Sequence, residues 1–381
     1  MKKSTFYTII ILIVLASISF TAIIENKKEA EIDSLHTQIE TMMDDHQADK
    51  EILLDLFMQV EYNDEPIYVI GHKSPDFDTT ASAIGMAYLL NELGIEAEAK
   101  IAGPLNLETE YGLSAIGYPA PEILEDATDK QLWLVDHSVH QQMVDGADKA
   151  RIVGITDHHG IGNIEIPEPI NVLSCPTGST SALVFALCEK CDIKITQDIA
   201  EVLLSGMLSD TANMKGKDVT VLDEIAFDRL KTLSGIPDTD ALFNGMLEAK
   251  LSYKGMDDRE IYYSDYKEYK TNGFLYGIGV IKVAHPEQIP AMSQRMLDVI
   301  ENEVNNGSDM DFLLLEVYDA DYSLGYTGFY GKDMEFTEET MNAIFSSLGE
   351  KRGNFFASSP SLSRKTDVLP PMDSYLNALE H

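Results

Sequence analysis

The chain has 381 residues, with 28 Lys+Arg against 64 Asp+Glu, and a formal charge of −36 at pH 7. A single core rarely grows past roughly 250–300 residues, so this length implies two or three domains. Hydrophobic residues make up 44% and aromatics 8%, which excludes disorder, while the acidity excludes a nucleic-acid backbone as partner of the bulk surface.

Ser4 to Ile24 form 21 positions without a charge, preceded by Lys2 and Lys3 and followed by Glu25, Asn26 and Lys27. That length suffices for a transmembrane helix, so residues 1–24 are read as a single-pass anchor. The Lys pair would hold the N-terminus inside and leave the remainder extracytoplasmic. Ser17 and Ser19 offer a weak cleavage point, and cleavage would make the protein secreted. Residues 25–64 carry Ile32, Leu35, Ile39, Met42 and Met43, then Ile52, Leu53, Leu56, Phe57 and Val60, at helical spacing. They read as a helical stalk able to self-associate into a homo-oligomer. Asn63-Asp64-Glu65-Pro66 breaks it.

From residue 65 the pattern changes. Ile67-Tyr68-Val69-Ile70 is a short apolar run ending in Gly71-His72-Lys73-Ser74-Pro75-Asp76-Phe77-Asp78. A helix follows, with Thr79 or Thr80 as cap and Ala81 to Leu93 as body. A second run, Leu132 to Val135, ends at Asp136-His137, and a third, Ile152 to Ile155, leads into Thr156-Asp157-His158-His159. Apolar strands alternating with helices predict a parallel, doubly wound α/β sheet, whose ligands bind outside the carboxyl ends of the strands. All three His/Asp clusters fall at such ends.

His72, Asp76, Asp78, Asp136, His158 and Asp210 are the residue types that hold paired divalent metals. A carboxylate can bridge two ions about 3.5–4 Å apart, and a shared water then becomes a hydroxide near neutral pH. Any one of these residues alone would read as a cap, a turn residue or a core histidine. Three clusters at three strand ends read as a metal centre.

These segments resemble the signatures of the DHH phosphoesterase superfamily. Leu134-Val135-Asp136-His137 with Gln141-Gln142, Leu204 to Thr211, and Ser363-Arg364-Lys365 followed by Val368-Leu369-Pro370-Pro371 are similar to the family II, manganese-dependent inorganic pyrophosphatases. The resemblance spans about Ile67 to Met372. It implies one metal on His72, Asp76 and Asp136, and another on Asp78, Asp136, His158 and Asp210, with Asp136 as the bridge. The metals would be two manganese ions, with cobalt, magnesium and zinc as other candidates. His159 would face the substrate and Asp157 would orient a ligand. Arg364 and Lys365 would close over the phosphates as catalytic groups, with Lys73, Lys215, Lys250 and Ser363 as substrate-binding residues.

The implied reaction is hydrolysis of pyrophosphate to two phosphates by a metal-bridging hydroxide. Its partners are a small phosphate substrate and a membrane, with no nucleic acid expected. The departures lie on the substrate side: Glu248 stands where the family has Lys, Thr366 replaces its second Lys after Ser-Arg-Lys, and Gly216-Lys217-Asp218 replaces Ser-Pro-Thr. They keep open polyphosphate, a nucleotide or a short oligonucleotide as substrate, or a weakened, metal-dependent binding module.

Gly178-Ser179-Thr180 caps a helix reaching Cys191, and Cys188 and Cys191 read as small buried residues, since no second pair completes a zinc site. Gly235-Ile236-Pro237 closes a catalytic domain over 65–235. A helical hinge over 236–253 leads to a smaller α/β domain, 254–381, that closes on the first. Strands are expected at Gly277 to Val283 and Phe312 to Val317, helices at Gln288–Asn305 and Glu338–Leu348. Tyr262, Tyr263, Tyr266 and Tyr269 read as strand-face packing, and Trp133 as core. Without residues 1–24 the chain keeps 26 basic against 64 acidic residues, a charge of −38 that slows encounter with an anion at low salt.

Overall fold

The computed structural model describes residues 57–379 continuously and, before them, positions 27, 28, 34, 47, 50–52, 54 and 55. The expected membrane segment lies outside the described residues, as does most of the expected stalk. Among the described residues no helix is long and apolar enough to cross a membrane. The end of the stalk region packs on the first domain: Phe57 is buried with its ring stacked 5.7 Å from that of Trp133. Lys50 Nζ lies 3.0 Å from Asp192 Oδ2.

The first domain is built on a six-stranded parallel sheet. Its strands are β1 (Ile67–Ile70), β2 (Ala97–Ile101), β3 (Glu122–Ile123), β4 (Gln131–Val135), β5 (Arg151–Asp157) and β6 (Asn171–Ser174), in the order β3-β2-β1-β4-β5-β6. The central strands β1 and β4 are near-continuous apolar runs because both their faces are covered. The chain runs outward from β1 through helix α1 (Phe77–Glu92) to β2 and through α2 (Leu107–Ile116) to β3, then returns beside β1 as β4. The order therefore reverses between β1 and β4, which opens a crevice at their carboxyl ends. Gly71 to Asp78 and Asp136 emerge there.

The two faces are covered differently. Helices α1, α3 (Thr180–Lys190), α4 (Gln197–Asp210), α5 (Val221–Ser234) and α6 (Thr239–Lys250) share one core with Val69, Trp133 and Val135. Ile70, Leu132 and Leu134 face the other side, where Met143, Val144 and Ala147 in and beside short 3-10 turns, with Ile164, Ile166 and Ile170, take the place of helices. Gly160, Gly162, Pro167 and Pro169 keep the second of these crossovers from winding into a helix. Trp133 is core, as expected, and donates through Nε1 to Thr156 Oγ1 at 3.1 Å. Its indole needs Gly154 on β5, where an added Cβ would stand 2.4 Å from the ring. Cys188 and Cys191 are free and buried.

Helix α6, within the segment expected to be a hinge, places Met246 in the first core. After α7 (Asp258–Tyr263) comes a second six-stranded sheet, β11-β12-β10-β9-β8-β7. It contains β7 (Tyr266–Thr271), β8 (Phe274–Val283), β9 (Phe312–Asp319), β10 (Gly325–Gly331), β11 (Glu350–Arg352) and β12 (Phe355–Ser358). Only β8 and β9 pair in parallel, joined by the crossover helix α8 (Ile289–Asn305). Strand β7 falls where the tyrosine run reads as a strand face but begins only at Tyr266, and Asn272-Gly273, both at positive φ, is the two-residue turn that its hairpin demands. The four tyrosines are not one strand face: Tyr262 and Tyr263 lie on α7 and Tyr266 and Tyr269 on β7. The helix expected at Glu338–Leu348 is α9 (Met334–Phe345), started by Asp333 accepting from the Phe336 N–H. A π-helical turn, Arg364–Val368, precedes α10 (Leu369–Ala378).

Candidate metal centre

The crevice gathers side chains from five segments. His72 and Asp76 follow β1, Asp78 opens α1, Asp136 ends β4, His158 follows β5, and Asp210 is the last residue of α4. Their ligand atoms fall into overlapping groups, His72–Asp76–Asp136 and Asp78–Asp136–His158–Asp210, each within 4.8 Å. A further group adds His159 to Asp136 and His158. All six residues expected to ligate metal are thus brought together, and Asp136 is common to every group.

Local structure explains each placement. Asp76, not Thr79 or Thr80, caps α1: its Oδ1 accepts the Thr79 N–H at 2.9 Å. Its Oδ2 then lies 3.5 Å from His72 Nε2. The Asp78 carboxylate accepts the Thr180 N–H at 2.6 Å and the Ser181 N–H at 3.0 Å, at the positive end of α3. Asp136 is buried and left-handed, with φ +61°. Thr79 Oγ1 donates to its Oδ2 at 2.5 Å and Thr180 Oγ1 to its Oδ1 at 2.9 Å. These two threonines fix the shared carboxylate. Their cap-like position hides that role in the sequence, because the helices that carry them meet at Asp136 only in three dimensions.

The donors suit divalent metals. His158 Nδ1 faces the Thr177 carbonyl at 2.8 Å, and a carbonyl can only accept, so Nδ1 carries hydrogen and Nε2 is the nitrogen left to bind a metal. That buried Nε2 sits 3.3 Å from Asp210 Oδ2 and 3.4 Å from Asp136 Oδ1, yet makes no hydrogen bond. A ring nitrogen surrounded by carboxylates is the environment that a cation, a proton or a metal, completes.

Without metal, protons do the neutralising. Burial opposes protonation of His72, but Asp136 and Asp76 outweigh it and lift it to about 10. Burial likewise opposes protonation of His158, yet Asp210 and Asp78 bring it to about 10. Burial, then the charges of Asp136 and Asp210, push Asp78 well above the usual carboxylate range. Asp210 rises for the same reasons, burial first and then Asp136.

His159 is 56% exposed, and its Nδ1 is held 3.1 Å from Asp157 Oδ1, which turns Nε2 outward. The bond to Asp157 raises its pKa. A cavity of about 600 Å³ opens beside His158, His159 and Asp210 and is walled by Gly178, Lys217 and Thr220. Lys217, rather than Lys215, lines it. The other expected substrate groups are engaged elsewhere. Lys73 Nζ pairs with Asp145 at 2.5 Å, and Lys250 Nζ with Glu108 Oε2 at 2.7 Å. Arg364 donates to Asp265 Oδ1 at 2.7 Å, while Lys365 and Ser363 are exposed on the same turn. Glu248 meets His285 Nε2 at 3.0 Å across the domain boundary.

Residues 66–207 match the DHH family, N-terminal domain, and residues 244–375 match the DHHA2 domain. A "Probable manganese-dependent inorganic pyrophosphatase" of Archaeoglobus fulgidus is 34% identical over 333 residues, covering 81% of this chain and 97% of its own. The manganese-dependent inorganic pyrophosphatase of Methanothrix thermoacetophila is 32% identical over 309 residues, with coverage of 81% and 97%. A Methanococcus jannaschii protein, solved as a candidate family II inorganic pyrophosphatase, superposes with a TM-score of 0.52 at 29% identity, over 82% of this chain and 99% of its own. The chain belongs to the DHH family, in the DHHA2-bearing branch of the manganese-dependent inorganic pyrophosphatases.

Proposed function

We propose that this protein hydrolyses inorganic pyrophosphate to two phosphates with two divalent metals, manganese by likeness to its relatives. One observation carries the reading: two ligand groups, complete in His and Asp, share the single buried carboxylate of Asp136. His72, Asp76 and Asp136 would hold one ion, and Asp78, Asp136, His158 and Asp210 the other. When bound, the metals supply Lewis acidity toward phosphoryl oxygens and a nucleophile from water.

The chain's own groups do the rest. His159, its Nδ1 fixed on Asp157, presents Nε2–H to a phosphate oxygen and stabilises charge building there. Arg364 must exchange Asp265 for the substrate, which its planar fork can bind through two oxygens. Lys217, which lines the cavity, and Lys365, exposed beside Arg364, add cationic charge. The −36 charge is then a property of the outer surface, set against a locally positive site.

The test uses the full chain in detergent with Mn²⁺ and offers pyrophosphate, tripolyphosphate and a dinucleotide. Release of phosphate chiefly from pyrophosphate is expected; turnover of another of these with none of pyrophosphate would overturn the reading. The 21 uncharged residues from Ser4 further support a membrane-tethered enzyme acting outside the cytoplasm. External protease should then cleave the C-terminal domain in intact cells, and protection would refute that placement.

A further inference from the structure

Strand β9 lies between β8 and β10 in the second sheet, and its odd-numbered residues Leu313, Leu315 and Val317 pack in the core beneath α8. The even-numbered residues Phe312 and Leu314 face the opposite core with Met341 of α9 and Met372 of α10. Glu316 continues that second row. Alternation calls for an apolar residue there, yet the sheet buries a carboxyl group that is 3% exposed and has a hydrogen-bond partner on neither oxygen. Such a group costs free energy even when neutral, and far more when charged.

The Ser363-Arg364-Lys365 turn lies above it. Arg364 donates to the Asp265 carbonyl at 3.0 Å, to the Ile278 carbonyl at 3.3 Å, and to Asp265 Oδ1 at 2.7 Å. Ile278 stands opposite Leu314 in the β8–β9 register, and Val280 opposite Glu316. The guanidinium therefore has two carboxyl groups within its electrostatic reach. One, Asp265, is at the surface and paired with it; the other, Glu316, is beneath and unpaired.

We propose that Glu316 is a positioning residue for Arg364: the unpartnered carboxyl beneath the turn sets how readily the guanidinium leaves Asp265 for the substrate. The inference rests on the reading that Arg364 meets a phosphate-bearing substrate. The groups that face Glu316 are Arg364 and Asp367 from the turn, Asp265 from the residues before β7, and Tyr318 from its own strand. Burial pushes Glu316 up to about 8, and the charge of Arg364 acts against burial without overcoming it. Near neutral pH the acid is uncharged, and Arg364 can move without leaving a buried anion behind. Above that range the same movement strands a carboxylate beside Asp265 and Asp367. Ionised Glu316 therefore holds Arg364 back.

In the full-length enzyme, KM for pyrophosphate should rise at least about tenfold as pH increases from 7 to 9.5, and Glu316→Gln should remove most of that rise while leaving kcat at pH 7 near wild type. Equal pH dependence of KM in the two proteins would overturn the inference. Asp265→Asn, at the surface, is the second variant. With Glu316 as the remaining anchor the rise should persist or steepen, and its disappearance would assign the effect to Asp265 instead. An infrared carboxylic C=O band is read independently of turnover. It should be present at pH 7, fade as pH passes about 8, and be missing in Glu316→Gln. Absence of that band overturns the inference whatever the substrate, whereas a normal band with no pyrophosphate turnover counts against the proposed substrate alone.

Discussion

Asp136→Asn separates a shared metal ligand from a structural carboxylate, because the two roles predict opposite effects with and without metal. The backbone tolerates the change: Asp136 sits at φ +61°, a conformation that Asn adopts readily. The amide keeps one acceptor for Thr79 or Thr180, and its NH2 can donate to the other hydroxyl. Without metal, the variant removes a charge that pushes up Asp78 and Asp210 but also one that stabilises protonated His72 and His158; the two effects oppose, so it should melt close to wild type. With Mn²⁺ the balance tips. Each metal held at a hundredfold excess over its Kd stabilises the fold by about 2.7 kcal/mol, and loss of one site removes that amount. For a domain of 150–250 residues this is roughly 5–11 °C in Tm. Loss of two-metal chemistry should lower kcat by at least about 10²-fold. Thermal melts with and without Mn²⁺, elemental analysis of bound metal, and phosphate release supply the three readings. Two bound Mn²⁺ with near-normal activity, or a metal-free variant melting well below wild type, would refute the assignment.

Gly206 on α4 lies where an added Cβ would stand 2.5 Å from Ser181 Oγ, 2.7 Å from Ala81 Cβ and 3.2 Å from Asp78 Oδ1. Gly206→Ala should therefore cost roughly 1–3 kcal/mol in a denaturant melt and weaken Mn²⁺ binding by displacing Asp78; unchanged affinity would contradict it. Mn²⁺ must displace the protons that metal-free His72 and His158 hold to about 10, so binding at pH 7 should release up to two protons from these histidines. Calorimetry in buffers of different ionisation enthalpy measures this, and a buffer-independent heat would contradict it. In the metal-free protein these two raised values add stability that is complete below about 6.5 and lost as pH climbs toward 10. For Glu316 the sign follows from an acid raised to about 8 from its ordinary 4.5: stability is complete below 4.5 and falls until about 8. Glu316→Gln should flatten that decline and gain up to about 3 kcal/mol at pH 7, at roughly 1.4 kcal/mol per pH unit; parallel stability–pH curves for the two proteins would contradict it.

The metal-type residues were legible in the sequence because they sit at ends of apolar runs, and a parallel sheet delivers such ends to one edge. Local signals sufficed for β1, β4 and β5, whose hydrophobic runs are set by burial on both faces. The threonines that hold Asp136 were not legible, since a hydroxyl beside a helix start looks the same whether it faces its own backbone or a distant carboxylate. The lysines were harder still. A long flexible cation goes where tertiary packing sets an acid, and so Lys250 meets Glu108, Lys73 meets Asp145, and Lys217 rather than Lys215 reaches the cavity.

The sequence by itself determined the chemistry of the centre: six His and Asp side chains at strand and helix ends, whose types and order declare paired divalent metals. Only the tertiary structure decided that Thr79 and Thr180 fix the Asp136 carboxylate, that His158 turns Nε2 inward, and that Arg364 rests on Asp265 above the buried Glu316. The reason is physical. Strand ends follow from local burial patterns, whereas the direction of a side chain depends on which hydrogen-bond partner the fold places within about 3 Å of it.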